Sequence, residues 1–239
     1  MNPRPKLSSP AWSRQGFIAG ASTMLPLLPG MIAFGIAVGS TAAAKGLTFI
    51  ENILMNAMVY AGLSLMVAME IWPQQMTLGA VAGLALSVAI VNARLLLMGA
   101  GFRPWFAPLP AWQSYALLHF LTDPSWLTGM RYRKEGGTDL GFYLGGALLI
   151  YSVWVVSVSV GYSMGALIPD PKPFALDLVM PVYFAAMLVP LWRGTTRAIP
   201  WVVAGVVALV IHQSIGGWWH VIVGSLAGIV VAGFVDERD

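Results

Sequence analysis

The sequence predicts an all-α polytopic membrane protein, and three observations carry that prediction. Of the 239 residues, 58% are hydrophobic and only 10% are charged, and the mean hydropathy is +0.75. A soluble domain carries roughly 25% charged residues, so this composition cannot cover a water-exposed surface. Long apolar runs, bounded by charges or by Pro/Gly clusters, follow one another along the chain. We therefore expect a single transmembrane helical domain over residues 1–239, with residues 1–15 as a cytoplasmic N-terminal tail.

The apolar runs define eight candidate segments. They cover residues 17–44, 52–72, 77–101, 113–130, 140–168, 175–192, 199–213 and 217–235. The first contains Pro26 and Pro29, which both lack a backbone N–H, so the pattern predicts a Pro/Gly-broken first helix, with a simple kink as the alternative. The fourth contains His119, Asp123 and Pro124, and it predicts either a crossing helix or a re-entrant or broken one. About seven or eight transmembrane segments are therefore expected.

The placement of Lys and Arg predicts the orientation. With the N-terminus inside and eight crossings, nine basic residues fall on the inner side and three on the outer side. The outer three are Lys45, Arg103 and Lys172. A re-entrant fourth segment would move the basic loop at 131–134 outside and weaken the bias. The charge distribution therefore favours eight crossings of the cytoplasmic (inner) membrane.

Arg94 is the residue that points most directly to function. It is the one basic residue in the apolar run from Thr77 to Gly101, where a charge costs about 2.5–3.5 kcal/mol on insertion scales. Two roles are open for it: pairing with a carboxylate such as Asp123 or Glu70, or binding a substrate carboxylate through its guanidinium fork.

Asp123 lies near the middle of the fourth segment, where desolvation of its carboxyl group would suit it to carry a proton. The alternative is a structural role, since Asp before Pro is typical of the first positions of a helix. His119 comes four residues earlier, one helical turn away. It is expected either to share a proton relay with Asp123 or to be a hydrogen-bonded core histidine.

The sequence disfavours enzymatic, metal-binding and nucleic-acid-binding functions. It has no cysteine, which excludes disulfides and thiolate chemistry. It contains no Walker loop, nucleophile elbow or HExxH motif, and His212 and His220 lack the spacing of a metal site. No Lys/Arg run suits nucleic acid. We therefore expect no enzyme activity, no cofactor and no metal.

Several short motifs occur in an order that resembles the AzlC family of branched-chain amino acid permeases, the azaleucine-resistance type. The resemblance covers about residues 15–195, and the order of the motifs makes it more specific than any one of them. The motifs are Leu28-Pro29-Gly30 with Phe34-Gly35 and Gly39, Tyr60-Ala61-Gly62-Leu63-Ser64, Val91-Asn92-Ala93-Arg94 and Phe120-Leu121-Thr122-Asp123, followed by Tyr143, Gly145, Tyr151, Trp154, Gly161 and Gly165. One departure is Leu65, which stands where family members usually have glutamine and leaves the specificity open.

This resemblance implies the large subunit of a two-component exporter, which carries branched-chain or other small apolar amino acids with a small hydrophobic AzlD-type subunit as its partner. We expect proton coupling through Asp123 and His119. The expected substrate contacts are Arg94, Asn92, Gly30 and Ser64. A passive channel or facilitator is the alternative, although the sequence lacks repeated filter loops and polar rings. A structural subunit of a membrane complex is a third candidate.

Overall fold

The fold is known from a computed structural model, which describes residues 12–72, 75, 77–167, 185, 192, 194–214 and 219–236. Within these ranges all regular secondary structure is helical. The predicted segment 175–192 lies almost wholly outside the described residues, as does Lys172. The helices are α1 (Arg14–Met24), α2 (Leu28–Ala44), α3 (Phe49–Val59), α4 (Gly62–Glu70), α5 (Leu78–Phe106), α6 (Ala111–His119), α7 (Asp123–Lys134), α8 (Leu140–Leu167), α9 (Thr195–Ser214) and α10 (Trp219–Asp236).

The first predicted segment is helical throughout. A 3₁₀ turn, Leu25–Leu27, joins α1 directly to α2. Pro26 lies in the first turn of the 3₁₀ piece and Pro29 in the first turn of α2, where a helix needs no N–H donor. Residues 14–44 therefore form one span of 31 residues. The two prolines tighten one turn of this span without interrupting it, so the predicted broken first helix is wrong.

α8 packs along this first span, and the two run in the same direction. Glycines bring the backbones together: a Cβ on Gly20 would lie 1.8 Å from the carbonyl oxygen of Phe142, and one on Gly39 would lie 2.0 Å from that of Val158. Because the contacts advance along both helices together, the helices are parallel. We call the end at which α1 and α8 begin the Arg14 end, and the opposite end the Ala44 end.

The second predicted segment is interrupted in its middle, which the sequence analysis did not predict. α3 begins at the Ala44 end, where the Tyr162 hydroxyl donates to the Leu47 carbonyl (2.7 Å). It ends near the middle of α8, where the ring of Tyr60 lies 4.8 Å from that of Tyr151. Tyr60 has a φ of 42°, in the left-handed region that side chains rarely adopt. The chain turns there, and α4 starts at Gly62.

α5 runs from the Ala44 end to the Arg14 end. Its last turn reaches the beginning of α8, where the ring of Phe106 lies 5.4 Å from that of Tyr143. Beside it, the Trp105 indole donates to the carbonyl of Thr138 (3.2 Å). Since α5 ends at the Arg14 end, its first residue lies at the Ala44 end.

The position of α5 determines the direction of α4. Leu78 lies about 24 Å along α5 from Arg94, toward the Ala44 end. If α4 pointed to the Arg14 end, the link 71–77 would have to cover about 37 Å, but it can reach at most about 29 Å. α4 therefore turns back toward the Ala44 end. We call α3 and α4 the first hairpin, with its tip at Tyr60–Ala61.

α6 starts at the Arg14 end and rises to the middle of the bundle. Near its start, the Ser114 hydroxyl donates to the carbonyl of Phe106 (3.3 Å). Just beyond its last residue, the ring of Phe120 lies 5.1 Å from that of Tyr151. The helix therefore covers only half of the length of α8.

α7 leads back to the Arg14 end. The ring of Tyr132 stacks on that of Phe142 with centroids 4.0 Å apart, and the Arg133 guanidinium lies 5.4 Å from the ring centroid of Trp105. We call α6 and α7 the second hairpin, with its tip at 120–122. The break predicted for the fourth segment is confirmed, because residues 120–122 separate α6 from α7. Arg103, in the last turn of α5, lies at this same end, so its predicted placement opposite the basic residues of α7 is wrong.

α9 and α10 pack closely through small residues. A Cβ on Gly224 would lie 2.8 Å from that of Ala208, and one on Gly228 would lie 2.9 Å from that of Ala204. The contacts move backward along α9 as they advance along α10, so the two helices are antiparallel. Gly224 and Gly228 form a GxxxG pair, and the small residues let the two helices approach closely.

The described helices have the lengths and composition of a membrane protein. Three are long and apolar enough to cross a bilayer, namely 14–44, 78–106 and 140–165, and shorter apolar helices accompany them. The two hairpins reach inward from opposite ends of these spans.

Candidate functional site

The two hairpin tips meet halfway along α8, around a cavity of about 50 Å³. Every part of its wall is either a helix interruption or the middle of a long helix, so the cavity lies deep in the apolar bundle. Its lining residues are Met31 and Phe34 of α2, Tyr60, Ala61, Gly62 and Leu63 of the first tip, Arg94 and Leu95 of α5, Leu121, Thr122, Asp123 and Pro124 of the second tip, and Trp154 of α8.

An ion pair between Arg94 and Asp123 forms the charged part of this wall. Nη2 of Arg94 lies 3.0 Å from Oδ2 of Asp123, and the two side chains are 34% and 30% exposed. The predicted pairing is thus confirmed with Asp123, the first of the two carboxylates considered. The Nε of Arg94 is buried and has no hydrogen-bond partner within the described part of the chain. Asp123 therefore neutralises the guanidinium without using all of its donors.

Local sequence explains why Asp123 stands at the tip. It is the first residue of α7, after Thr122 and before Pro124. Thr122 has extended backbone dihedrals and its N–H donates to Oγ of Ser125 (2.8 Å), which holds the start of the helix. A carboxylate at this position is also stabilised by the positive end of the helix dipole. The structural role predicted for Asp123, at the beginning of a helix, is confirmed, and its contact with Arg94 comes in addition.

His119 does not share a helix with Asp123. It is the last residue of α6, it is exposed, and its ring lies 6.0 Å from that of Tyr151. The one-turn spacing assumed an unbroken helix, and the interruption at 120–122 removes that geometry. No hydrogen bond or ion pair joins the two side chains in the described ranges, and the role of His119 in proton coupling stays a prediction.

The other three predicted contacts lie outside the cavity wall. Ser64 is fully buried, and its hydroxyl donates to the carbonyl of Ala61 (2.9 Å). This hydrogen bond stabilises the turn at the first tip. Asn92 is two positions from Arg94, about 200° around the helix, so the two side chains project in different directions. Gly30 is an exposed residue in the first turn of α2. Their roles in substrate binding stay predictions.

Sequence reasoning missed the aromatic part of the site. The rings of Phe34 and Trp154 meet edge to face with centroids 5.2 Å apart, and Trp154 is only 2% exposed. Both press on the first tip, since a Cβ on Gly62 would lie 2.7 Å from each ring. Their contact joins parts of the chain that are more than a hundred residues apart, so no local pattern predicts it. The only signal in the sequence was that both residues belong to the motifs that resemble the AzlC family.

The N-terminus of α4 adds backbone donors to the same cavity. Ala61 occupies the cap position and offers no side-chain acceptor. The first N–H groups of a helix have no partner within it and carry partial positive charge. Since Gly62 and Leu63 line the cavity together with Arg94, the site combines cationic donors, one carboxylate and apolar side chains. These are the groups that bind a zwitterion with an apolar side chain.

Interrupted helices that meet at a charged site inside an apolar bundle are characteristic of membrane transport proteins. In the part of the chain that the structure describes, no group of three or more His, Asp or Glu side chains comes together to hold a metal ion. The fold and the site thus define a helical membrane protein with a transporter-type centre.

Comparison with known families makes the assignment specific. Residues 26–168 match the family model described as AzlC protein. The match covers more than half of the chain and includes all of the cavity wall, so the protein belongs to the AzlC family. It is a membrane protein related to branched-chain amino acid transport. No curated protein and no solved structure matches the chain.

Proposed function

We propose that the protein is a secondary active transporter subunit that exports branched-chain or other small apolar amino acids across the cytoplasmic membrane, coupled to protons. The observation that carries the proposal is the cavity between the two hairpin tips, where Arg94, Asp123 and the start of α4 stand among apolar side chains. At about 50 Å³ the cavity has room for roughly three to five water molecules. An amino acid is larger, so the tips must separate to admit it.

The ion pair supports a mechanism of coupling. A substrate carboxylate that binds the guanidinium of Arg94 breaks the ion pair, and a proton that binds Asp123 breaks the same pair. If the site changes sides of the membrane only when the pair is broken, it crosses outward with the substrate and inward with a proton. The ion pair thereby links export of the amino acid to entry of a proton.

The positions of the basic residues support a topology with the Arg14 end in the cytoplasm. Within the described ranges, the basic residues at that end are Arg14, Arg103, Arg131, Arg133 and Lys134, and Lys45 lies at the other end. The spans 14–44, 78–106 and 140–165 cross the bilayer, and the hairpins enter from opposite sides and meet at the midplane. This topology replaces two of the eight predicted crossings by re-entrant hairpins, and it strengthens the charge bias because Arg103 moves inside.

Family membership supports a small hydrophobic subunit of the AzlD type as the partner, and α5 offers it a surface. Leu96 and Leu97 are 76% and 78% exposed, close to an ion pair that is one-third exposed at mid-depth. Lipid cannot solvate such a pair. Either a partner helix or water must therefore cover this face of α5.

Reconstitution into liposomes tests the proposal. The purified protein is combined with its small subunit, and efflux of labelled leucine, valine, isoleucine and methionine is measured with and without a proton gradient. We expect efflux that an imposed proton gradient drives against the substrate gradient. Flux that only equilibrates would identify a passive facilitator. No flux of any of the four, together with Arg94→Gln and Asp123→Asn variants that affect only assembly, would identify a structural subunit.

A further inference from the structure

We propose that Trp154 is a substrate-binding residue whose indole N–H, together with the first backbone amides of α4, binds the substrate carboxylate. This inference rests on the proposed function, since it assigns ligand groups to the same cavity. It adds donors for the substrate carboxylate beside the guanidinium of Arg94.

The first argument is the state of the indole itself. Trp154 is 2% exposed and lines the cavity, and its Nε1 has no acceptor within the described part of the chain. Buried donors without a partner are rare, because their desolvation is not repaid. An acceptor supplied by a ligand in the cavity would repay it.

The second argument is the position of the ring. The Cη2 atom of Trp154 would lie 2.7 Å from a Cβ on Gly62, so the indole lies directly against the first residue of α4. The edge-to-face contact with Phe34, at 5.2 Å, fixes the ring in this place. The ring that carries the donor is thus held beside the α4 N-terminus, where partial positive charge and unused N–H groups already favour an anion.

The third argument is that Arg94 is already engaged. Its Nη2 is paired with Asp123 at 3.0 Å, whereas neither the Trp154 indole nor the start of α4 has a side-chain acceptor in the described residues. An incoming carboxylate therefore meets unused donors on the α4 side first. The ammonium group of the same zwitterion then lies toward Asp123, where it can compete for that carboxylate and release Arg94 to join the donors around the substrate carboxylate.

Trp126 provides a matched control. Its indole nitrogen is also buried and without a partner in the described ranges. It does not line the cavity, and lies instead 3.3 Å from the place of a Cβ on Gly101 of α5. A Trp→Phe change at either position removes one ring and one N–H, but only the change at Trp154 removes a donor from the cavity.

The experiment is equilibrium binding to the purified complex of the protein with its small subunit, with labelled leucine as the probe and leucinol as a competitor that lacks the carboxylate. We expect Trp154→Phe to weaken leucine binding about 10-fold or more, to weaken valine binding by the same factor, and to leave leucinol competition unchanged. Trp126→Phe should change none of these affinities. A loss shared equally by leucine and leucinol would mean that the indole only packs, and would overturn the inference.

Two further outcomes separate this inference from the proposed function. If the wild-type complex binds leucine and Trp154→Phe binds it equally well, the carboxylate position is refuted and the transport proposal stands. If the wild-type complex binds none of leucine, valine, isoleucine and methionine, both are refuted. Should Trp154→Phe fail to fold, benzothienylalanine at position 154 keeps the shape of the indole, removes its N–H and permits the same measurements.

Discussion

The packing interface of α2 with α8 and the wall of the cavity are built from adjacent residues with opposite properties. Gly35 and Gly39 bring the α2 backbone into direct contact with α8, where a Cβ on Gly35 would lie 2.6 Å from that of Ser157. Phe34, next to Gly35, instead faces the cavity with Trp154. The interface is continuous and closely packed, whereas the cavity wall contains two helix interruptions, unpaired donors and a partly exposed ion pair.

This difference separates the scaffold from the site. Parallel helices in backbone contact cannot shift without breaking many contacts at once. The hairpin tips have fewer such constraints, and they hold a left-handed Tyr60 and a replaceable ion pair. Unsatisfied and strained groups persist where function requires them and the surrounding structure holds them in place. Changes in the interface should therefore abolish folding, and changes in the wall should abolish transport.

Replacement of Gly39 should have the largest effect. Gly39→Leu would place a side chain against the Val158 carbonyl, since even the Cβ would lie 2.0 Å from it. The helices must separate, and we expect no folded protein. Size-exclusion profiles in detergent check this. Gly83→Leu is the control, because no atom lies within 4 Å of a Cβ there; a normal profile for Gly39→Leu would disprove the role given to the interface.

Removal of the Arg94 charge tests whether the cavity wall takes part in transport. Arg94→Gln loses a charge-assisted contact to the substrate, and we expect leucine transport to fall about 10- to 100-fold while the detergent profile stays normal. Initial rates in proteoliposomes check this. Asp123→Asn should remove the proton dependence of transport and leave substrate exchange intact. Unchanged transport by Arg94→Gln would show that the ion pair only holds the bundle together.

A methyl group on Gly62 tests how closely the aromatic rings confine the tip. Gly62→Ala would place a Cβ 2.7 Å from the rings of Phe34 and Trp154. One of the rings must move into the cavity, and we expect the transport rate to fall about tenfold and the unfolding free energy to fall by about 1–3 kcal/mol. Gly99→Ala, where the closest atom would be 3.4 Å away, is the matched control. Equal rates for the two variants would mean that the rings adapt without closing the cavity.

Loss of the Asp139 carboxylate should have the smallest effect. This side chain accepts from the Ser13 N–H (3.1 Å), the Ser13 hydroxyl and the Gly141 N–H (2.8 Å), and so ties the start of α1 to the start of α8. Asp139→Ala should lower the unfolding free energy by about 1–2 kcal/mol and leave transport unchanged. Thermal unfolding in detergent measures the change in stability, and rates in proteoliposomes measure transport. A large loss of transport would show that contacts at the Arg14 end affect the cavity.

The helices and the charged centre of the site could be predicted from the sequence, whereas the interruptions could be predicted only in part. Thr122-Asp123-Pro124 is a local signal for the beginning of a helix, and the interruption was found there. Pro26 and Pro29 are an equally strong signal, yet both lie in first-turn positions and the helix continues. The turn at Tyr60 has no proline, and its left-handed conformation is supported by the contact with Tyr151, ninety residues later.

The sequence by itself determined that this is a helical membrane protein and that Arg94 needs a carboxylate partner, because apolar composition and the cost of a charge in lipid are properties of single segments. The tertiary structure alone decided that two segments turn back and that Phe34, Tyr60 and Trp154 close around Arg94. After an interruption, a half-helix can continue or reverse with the same local hydrogen bonds. The choice depends on the reach of the following link and on packing against distant helices, which no local pattern encodes.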